Sequence, residues 1–335
     1  MGTQARLASK RNLFVNSNRL PQTVAPVPGQ APLICLLCGA TLDEQPIIIS
    51  PDRQLGTPGN FAVHVCRSCG AGSTTPQVDD SELAAYYPMQ YGPYVQPQGA
   101  IALLARVYYR WRDSRVLQRR PYRELNAIRC GSLLDVGCGR GDLGAVLRTH
   151  GWEVTGIEPS PEACEVVRAR KMTALNGVLA TIALPERAFD VATFQHVLEH
   201  TPDPVNDLRR VYGALKDGGH VLISVPNFGY WQRKLFGGYW YHLDLPRHRF
   251  HYTEQSLRLL LSRAGFETLE MSTGNDFVGL PASVQYALFK RCLFPSGTLR
   301  GLGYILCAAL YPVTWLLGRL LGSGDFLHVV AQKKS

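Results

Sequence analysis

A doubly wound α/β sheet is the fold this sequence predicts, preceded by a small cysteine-bearing module. Three observations carry the prediction. From Ser132 onward, apolar strands alternate with helical segments. The run Leu133-Leu-Asp-Val-Gly-Cys-Gly-Arg-Gly-Asp142 ends a strand in a glycine turn that opens a helix. Two Cys-x-x-Cys-Gly pairs, at 35–39 and 66–70, stand ahead of both. Such alternation places helices on both faces of a largely parallel sheet.

The 335 residues suggest about two domains. Ordinary hydrophobic content and 18% charged residues exclude a disordered chain and a polytopic membrane protein. Thirty-five Lys and Arg against 26 Asp and Glu leave a charge of +9. That balance favours an anionic partner: nucleic acid, a phosphate-bearing substrate or a membrane surface. The nine cysteines form two matched pairs plus isolated thiols, a metal-site pattern in a reducing compartment. No secretory leader is expected, since the apolar cluster near the N-terminus is only Leu13-Phe14-Val15.

Residues 1–31 hold Arg6, Lys10, Arg11 and Arg19 and no acid, and read as a basic flexible tail. Residues 32–75 read as a zinc ribbon. Cys35, Cys38, Cys66 and Cys69 supply a tetrahedral sulfur shell around a structural Zn2+, closed to chemistry. Ile47–Ile49 and Phe61–Val65 are its short strands, and His64 reads as a strand residue. Residues 76–131 form a connector with a basic cap helix from Ile101 to Arg120, either a solvated face or an anion-facing cap.

The remaining 132–335 follow in order. Strands are expected at Leu133–Val136, Glu153–Ile157, Phe189–Phe194, Val221–Val225, Phe266–Met271 and Phe326–Ala331. Helices are expected from Asp142, Pro161, Pro204 and Thr253. Pro161 sits in a first turn, Thr253 is an N-cap and Gly265 a stop.

The glycine turn lacks the third glycine or alanine of a dinucleotide fingerprint; Asp142 stands there. Asp135 lies just before the turn, and Glu158 ends the next strand where a ribose diol is held. A nucleoside carrying a cationic group fits this pair.

These residues resemble class I S-adenosylmethionine-dependent methyltransferases. The resemblance rests on Asp135-Val-Gly-Cys-Gly-Arg-Gly141, Gly156-Ile-Glu-Pro-Ser160, Phe189–His200, Leu215–Asn227 and Ala264-Gly-Phe266. It implies a seven-stranded sheet whose last strand is antiparallel between the fifth and sixth. It implies S-adenosylmethionine as cofactor, with Glu158 on the ribose and Gly137, Gly139 and Gly141 flanking the methionine part. Asp135 would assist the ammonium, Pro159 and Ser160 border the adenine, and Gln195 and His196 line the mouth. One departure stands out. The stretch Leu179–Pro185 has no acid for the adenine amine, leaving backbone or Thr181.

The acceptor side is the insertion 227–252. Phe228, Tyr230, Trp231, Tyr239, Trp240 and Tyr241 are expected to wall a pocket. Methyl transfer needs mainly alignment, plus a base if the acceptor is a hydroxyl or an acidic carbon. By similarity to sugar methyltransferases that also carry a zinc ribbon, His248 is the first candidate base, with His196 and Asp244 as further catalytic candidates. Arg247 suits either a phosphate or Asp244, and His200 reads as a packing histidine.

A second, apolar insertion spans 275–322, with an uncharged run from Gly301 to Gly318. Bracketed by Arg300 and Arg319, it reads as a helical segment lying in a membrane surface, or else as a lid. The expected enzyme is cytoplasmic, at the inner membrane face. It would methylate a small or lipid-linked acceptor of cell-envelope glycan synthesis. A quinone or polyketide O-methyltransferase is the alternative within enzymes; a nucleic-acid-binding or modifying protein and a non-catalytic cofactor-binding scaffold are the alternatives of another class, although a nucleic-acid partner is not expected.

Overall fold

The computed structural model describes residues 32–78, 86, 115–276, 278–293, 297–321 and 323–334; for 297–302, 304–306 and 308 only the backbone is described. The expected basic tail and most of the expected cap helix lie outside these residues. The described end of that cap segment is a single 3-10 turn, Val116–Gln118.

The strands are β1 Ile48–Ser50, β2 Phe61–Val65, β3 Gly72–Thr75, β4 Ser132–Val136, β5 Glu153–Glu158, β6 Thr173–Asn176, β7 Phe189–Gln195, β8 Leu215–Pro226, β9 Phe250–His251, β10 Phe266–Gly274 and β11 Phe326–Lys333. The helices are α1 Asp142–Thr149, α2 Pro161–Ala169, α3 Pro204–Ala214, α4 Trp231–Phe236, α5 Glu254–Arg263, α6 Gly279–Phe289 and α7 Gly297–Leu320. Seven strands form one sheet in the order β10-β11-β8-β7-β4-β5-β6. β11 runs antiparallel to both β8 and β10, as the resemblance implies.

Alternate residues of β4 feed opposite faces of this sheet. Leu133 packs with Leu147 of α1 and Val167 of α2, while Leu134 packs with Leu208 of α3 and Leu260 of α5. A central parallel strand is thus apolar on both sides. Helix starts are locally encoded. Ser160 and Asp203 accept from backbone N–H groups three residues on, each with proline at the first helical position. Thr253 and Ser256 cap α5 reciprocally.

The cysteine module is joined to the large domain by a shared sheet. Its strands β1, β2 and β3 are completed by β9, which comes from the end of the acceptor-side insertion. Behind this sheet, Ile48, Phe61 and Val63 bury Phe228, Trp240, Leu243 and Leu245. Phe228, Tyr230 and Trp240 are each 1% exposed. They are therefore core rather than the pocket wall that the sequence suggests, because the ribbon supplies the apolar surface that covers them.

α6 and α7 form the apolar insertion. On α7, Gly303, Cys307, Thr314 and Gly318 face inward. Leu310, Val313, Trp315, Leu316 and Leu320 are exposed. Among its described side chains the helix thus buries two glycines, Cys307 and Thr314, and exposes its large apolar residues together with Ala309. No helix among the described residues is long and apolar enough to cross a membrane.

Candidate functional site

Two constellations lie along the carboxyl ends of the parallel strands, the edge where open α/β sheets place ligands. The first is built by the β4–α1 turn and the end of β5. Gly139 adopts φ +54°, and a Cβ there would meet nothing within 4 Å, so the turn borders open space. Gly137 and Gly141 are also left-handed, but a Cβ on them would strike Val197 and Met172. Close packing, as well as ligand access, requires these two glycines.

Glu158 is held by this turn. Its Oε2 accepts from the Gly139 N–H at 2.9 Å and its Oε1 from the Ser160 N–H at 3.0 Å. Burial raises the carboxyl above its ordinary value, against those two backbone bonds. Asp135 is buried at the end of β4, and the Thr193 hydroxyl donates to its Oδ1 at 2.6 Å. Burial pushes its carboxyl up to about 6. Two carboxylates withdrawn from water beside an open glycine turn suit a cation joined to a diol. Asn176 Nδ2 donates to the carbonyls of Glu158 and Pro159, which fixes the strand end. The Thr181 hydroxyl already donates to Val178 O, and Arg210 pins the carbonyls of Leu179 and Ile182.

Tyr122 is a site residue that the sequence reading does not single out. It lies in a 3-10 turn, Tyr122–Ala127, within the expected connector, and is buried with Leu125 against the α1 and α2 face. Its hydroxyl donates to Gln195 Oε1, so it closes onto the mouth residue at the end of β7. An aromatic after proline, ahead of a glycine-marked strand, is the only signal the sequence carries for it. His328 of β11 is a second omission. Its Nδ1 meets Ser224 Oγ at 2.9 Å, and burial lowers its pKa to about 4.

The second constellation gathers the candidate catalytic residues around Glu199. His196 Nδ1 lies 3.5 Å from Glu199 Oε1, and His248 Nε2 lies 4.0 Å from the same atom. His248 Nε2 is also 3.9 Å from Asp244 Oδ2. Glu199 is 1% exposed, and neither carboxylate oxygen has a hydrogen-bond partner among the described residues. His196 and Asp244 both sit in the left-handed region, at φ 55° and 38°, a backbone cost that tends to collect at functional sites. His196 is one-third exposed and packs edge-on against Phe326, whereas His248 is buried. Burial, then the neighbouring histidines, holds His248 well below the ordinary range and so neutral.

Two further residues of this region have partners that agree with their sequence readings, His200 as a packing histidine and Arg247 as a partner of Asp244. His200 joins the constellation: its Nδ1 donates to Arg247 O and its ring stacks edge-on with His248. Arg247 takes no phosphate-facing role. Fully buried, it forks onto Asp52 of the ribbon and onto Asp244 Oδ1. The ribbon supplies the partner, which reading the insertion alone could not disclose. A further buried group stands nearby, with His242 Nε2 at 3.7 Å from both Asp276 Oδ2 and Asp325 Oδ1. Burial lowers His242 to about 3 and raises Asp325 to about 7.

The four cysteine sulfurs converge. Cys35 and Cys69 Sγ are 3.7 Å apart, Cys38 and Cys66 Sγ 3.4 Å, and all are free thiols. A tetrahedral ion with Zn–S near 2.3 Å holds its sulfurs about 3.8 Å apart, so the group fits the donor set. The two turns repeat each other's bonding: the Gly39 and Gly70 N–H groups donate to Cys35 O and Cys66 O at 2.7 Å. Both glycines take positive φ, which the turn demands. His64 is a strand residue, its ring bonded to Asp43 O.

Comparison with known proteins follows from this geometry. A family model described as "Methyltransferase domain" matches residues 105–271. A ubiquinone biosynthesis O-methyltransferase from Vibrio vulnificus is 37% identical over 102 residues, covering 28% of this chain and 43% of that protein. The enzyme of the same name from Pectobacterium carotovorum is 30% identical over 172 residues, covering 46% and 64%. The chain therefore spans less than two thirds of the length of these relatives. A solved S-adenosylmethionine-dependent methyltransferase from Archaeoglobus fulgidus superposes with TM-score 0.45 at 19% identity, over 70% of this chain and 100% of that one.

Proposed function

We propose that the protein, whose residues 105–271 match a methyltransferase-domain family model, transfers a methyl group from S-adenosylmethionine to a hydroxyl oxygen of an amphiphilic acceptor. The carrying observation is that the Asp135–Gly139–Glu158 cradle and the Glu199 constellation share one edge of the sheet. When bound, the cofactor supplies an electrophilic methyl on a sulfonium. Glu158 would hold the ribose hydroxyls and Asp135 the ammonium, with Gly137, Gly139 and Gly141 along the methionine part. Pro159 and Ser160 would border the adenine. Gln195, fixed by Tyr122, would close the mouth.

His196 is the group placed to take the hydroxyl proton, since it reaches solvent while its Nδ1 faces Glu199. A carboxylate behind an imidazole orients the ring and stabilises the charge that forms. His248, the first candidate on sequence, is buried with its Nε2 turned inward, so His196 displaces it as base in this reading.

The relatives' names favour a quinone-type hydroxyl over a glycan, and no observation favours the glycan acceptor. The exposed apolar face of α7, with the Arg319 guanidinium 5.5 Å over the Trp315 ring, suits an anionic lipid surface from which such an acceptor is drawn. A structural Zn2+ on Cys35, Cys38, Cys66 and Cys69 completes the reading.

The test is methyl-labelled S-adenosylmethionine with purified protein and a bacterial extract. The products are then separated into organic, small aqueous and nucleic-acid fractions. Label in the organic fraction supports the proposal. Label confined to the aqueous or nucleic-acid fraction overturns the acceptor class, and no label in any fraction overturns the activity.

A further inference from the structure

We propose that Glu199, His200 and His248 form a divalent-cation site, separate from the four-cysteine cluster, that ties the end of β7 to the insertion 227–252.

The first support is Glu199 itself. A carboxyl group 1% exposed, with neither oxygen hydrogen-bonded among the described residues, is a polar group withdrawn from water without a hydrogen bond in exchange. Natural interiors satisfy such groups with a cation or a donor, and the groups facing this one are imidazoles.

The second support is convergence. One ligand atom each from Glu199, His200 and His248 lies within 4.8 Å of the other two. Donors around one ion at roughly 2.1 Å stand about 3 to 3.5 Å apart. The 4.0 Å from His248 to Glu199 closes to this by a small side-chain rotation.

The third support is the tautomer. His200 Nδ1 lies 3.0 Å from Arg247 O, and His248 Nδ1 lies 3.0 Å from His242 O. A carbonyl only accepts, so each Nδ1 carries a proton, and the His248 ring turns its Nε2 toward Glu199. Metal-bound histidines are oriented in this way. Glu199 is fixed as well, since its own carbonyl accepts from the Arg249 and Phe250 N–H groups.

Two imidazoles and one carboxylate suit Mn2+, Co2+, Fe2+ or Zn2+, unlike the all-sulfur shell of the ribbon. Three protein ligands would leave a further position on the ion for water.

The test titrates Mn2+ into the full chain with its thiols zinc-loaded, reading free Mn2+ by electron paramagnetic resonance. One saturable Mn2+ per chain is expected, with affinity at least tenfold weaker in Glu199→Gln and in His248→Gln. Co2+ should give weak visible bands without the thiolate charge-transfer bands of the ribbon. Absence of any saturable Mn2+ or Co2+ beyond the thiolate site overturns the proposal, as does unchanged affinity in Glu199→Gln. If both variants misfold, the Co2+ spectrum of the unaltered protein decides. S-adenosylhomocysteine binding, read in parallel, separates the two claims. Cofactor binding without Mn2+ binding removes the cation site alone. Mn2+ binding without cofactor binding keeps the cation site and removes the methyl-transfer reading.

Discussion

Asp52 and Arg247 are 195 positions apart in the chain, yet their side chains meet at 2.8 Å, fully buried. One comes from the ribbon and the other from the acceptor-side insertion. Asp244 shares the same guanidinium at 2.6 Å. Removing the cation strands two carboxylates in the interior, so Arg247→Met should cost about 3–5 kcal/mol in urea unfolding. Adding Asp52→Asn should recover part of that loss. A cost under about 1 kcal/mol refutes the pairing as a joint between the modules.

The same pair sets an acid limb. Burial alone would raise the Asp52 carboxyl, but the Arg247 guanidinium outweighs it and holds the value below the ordinary one. Its stabilisation is therefore complete above about pH 4, the unfolded value, and is lost as pH falls through the folded one. Asp52→Asn should flatten the loss of stability below pH 4, measured by thermal melts across pH.

Asp135 acts in the opposite sense. Its carboxyl is pushed up to about 6 by burial, so ionising it costs stability as pH rises above the unfolded value. Asp135→Asn should therefore stabilise the free protein at pH 8, by up to about 3 kcal/mol, and change little at pH 4. If it meets the cofactor's ammonium, S-adenosylhomocysteine affinity falls as pH drops through about 6, with proton release on binding. A flat calorimetric profile removes Asp135 from the cofactor site.

Glu158→Ala should weaken S-adenosylhomocysteine binding by at least a hundredfold, on the order of 3 kcal/mol for lost bonds to a charged acceptor. The fold should survive, because burial already disfavours the ionised side chain. Retained calorimetric affinity would place the cofactor elsewhere.

Zinc should assay at one per chain through the four thiols, and Cys66→Ser should remove it. Because β3 pairs with β9, loss of the metal should disturb the acceptor side while sparing the cradle at β4 and β5. Methyl transfer should then fall more than cofactor affinity. Equal loss of both, or neither, contradicts that coupling.

Leu316→Glu with Leu320→Glu on the outward face of α7 should release the protein from anionic vesicles without lowering its melting temperature. Both side chains are at least half exposed. Unchanged sedimentation with vesicles rules out this face as the contact.

The large sheet was legible because its signals are local: apolar strands, the 133–142 glycine turn, and capped helix starts at Ser160, Asp203 and Thr253. β3 and β6 escaped because Gly-Ser-Thr-Thr and Thr-Ala-Leu-Asn carry little apolar pattern, and two-residue β9 exists only through its partner. The cradle residues were readable from one turn and one strand end. Their neighbours were not. Tyr122 reaches Gln195, Asp52 reaches Arg247, and the ribbon covers Trp240, each across a long stretch of chain that no spacing encodes. Charge and aromatic content in 227–252 suggested a pocket; much of it proved to be an interface between modules.

The β3–β9 pairing bears on how this protein can be cut and recombined. A chimera that exchanges only residues 32–78 would leave the strand at 250–251 unpaired and the Arg247 charge facing a stranger's surface. The transplantable unit is discontinuous: the ribbon together with 227–252. The cysteine module and 227–252 would thus travel together between chains, and the module grafted alone should behave as a lesion rather than a swap.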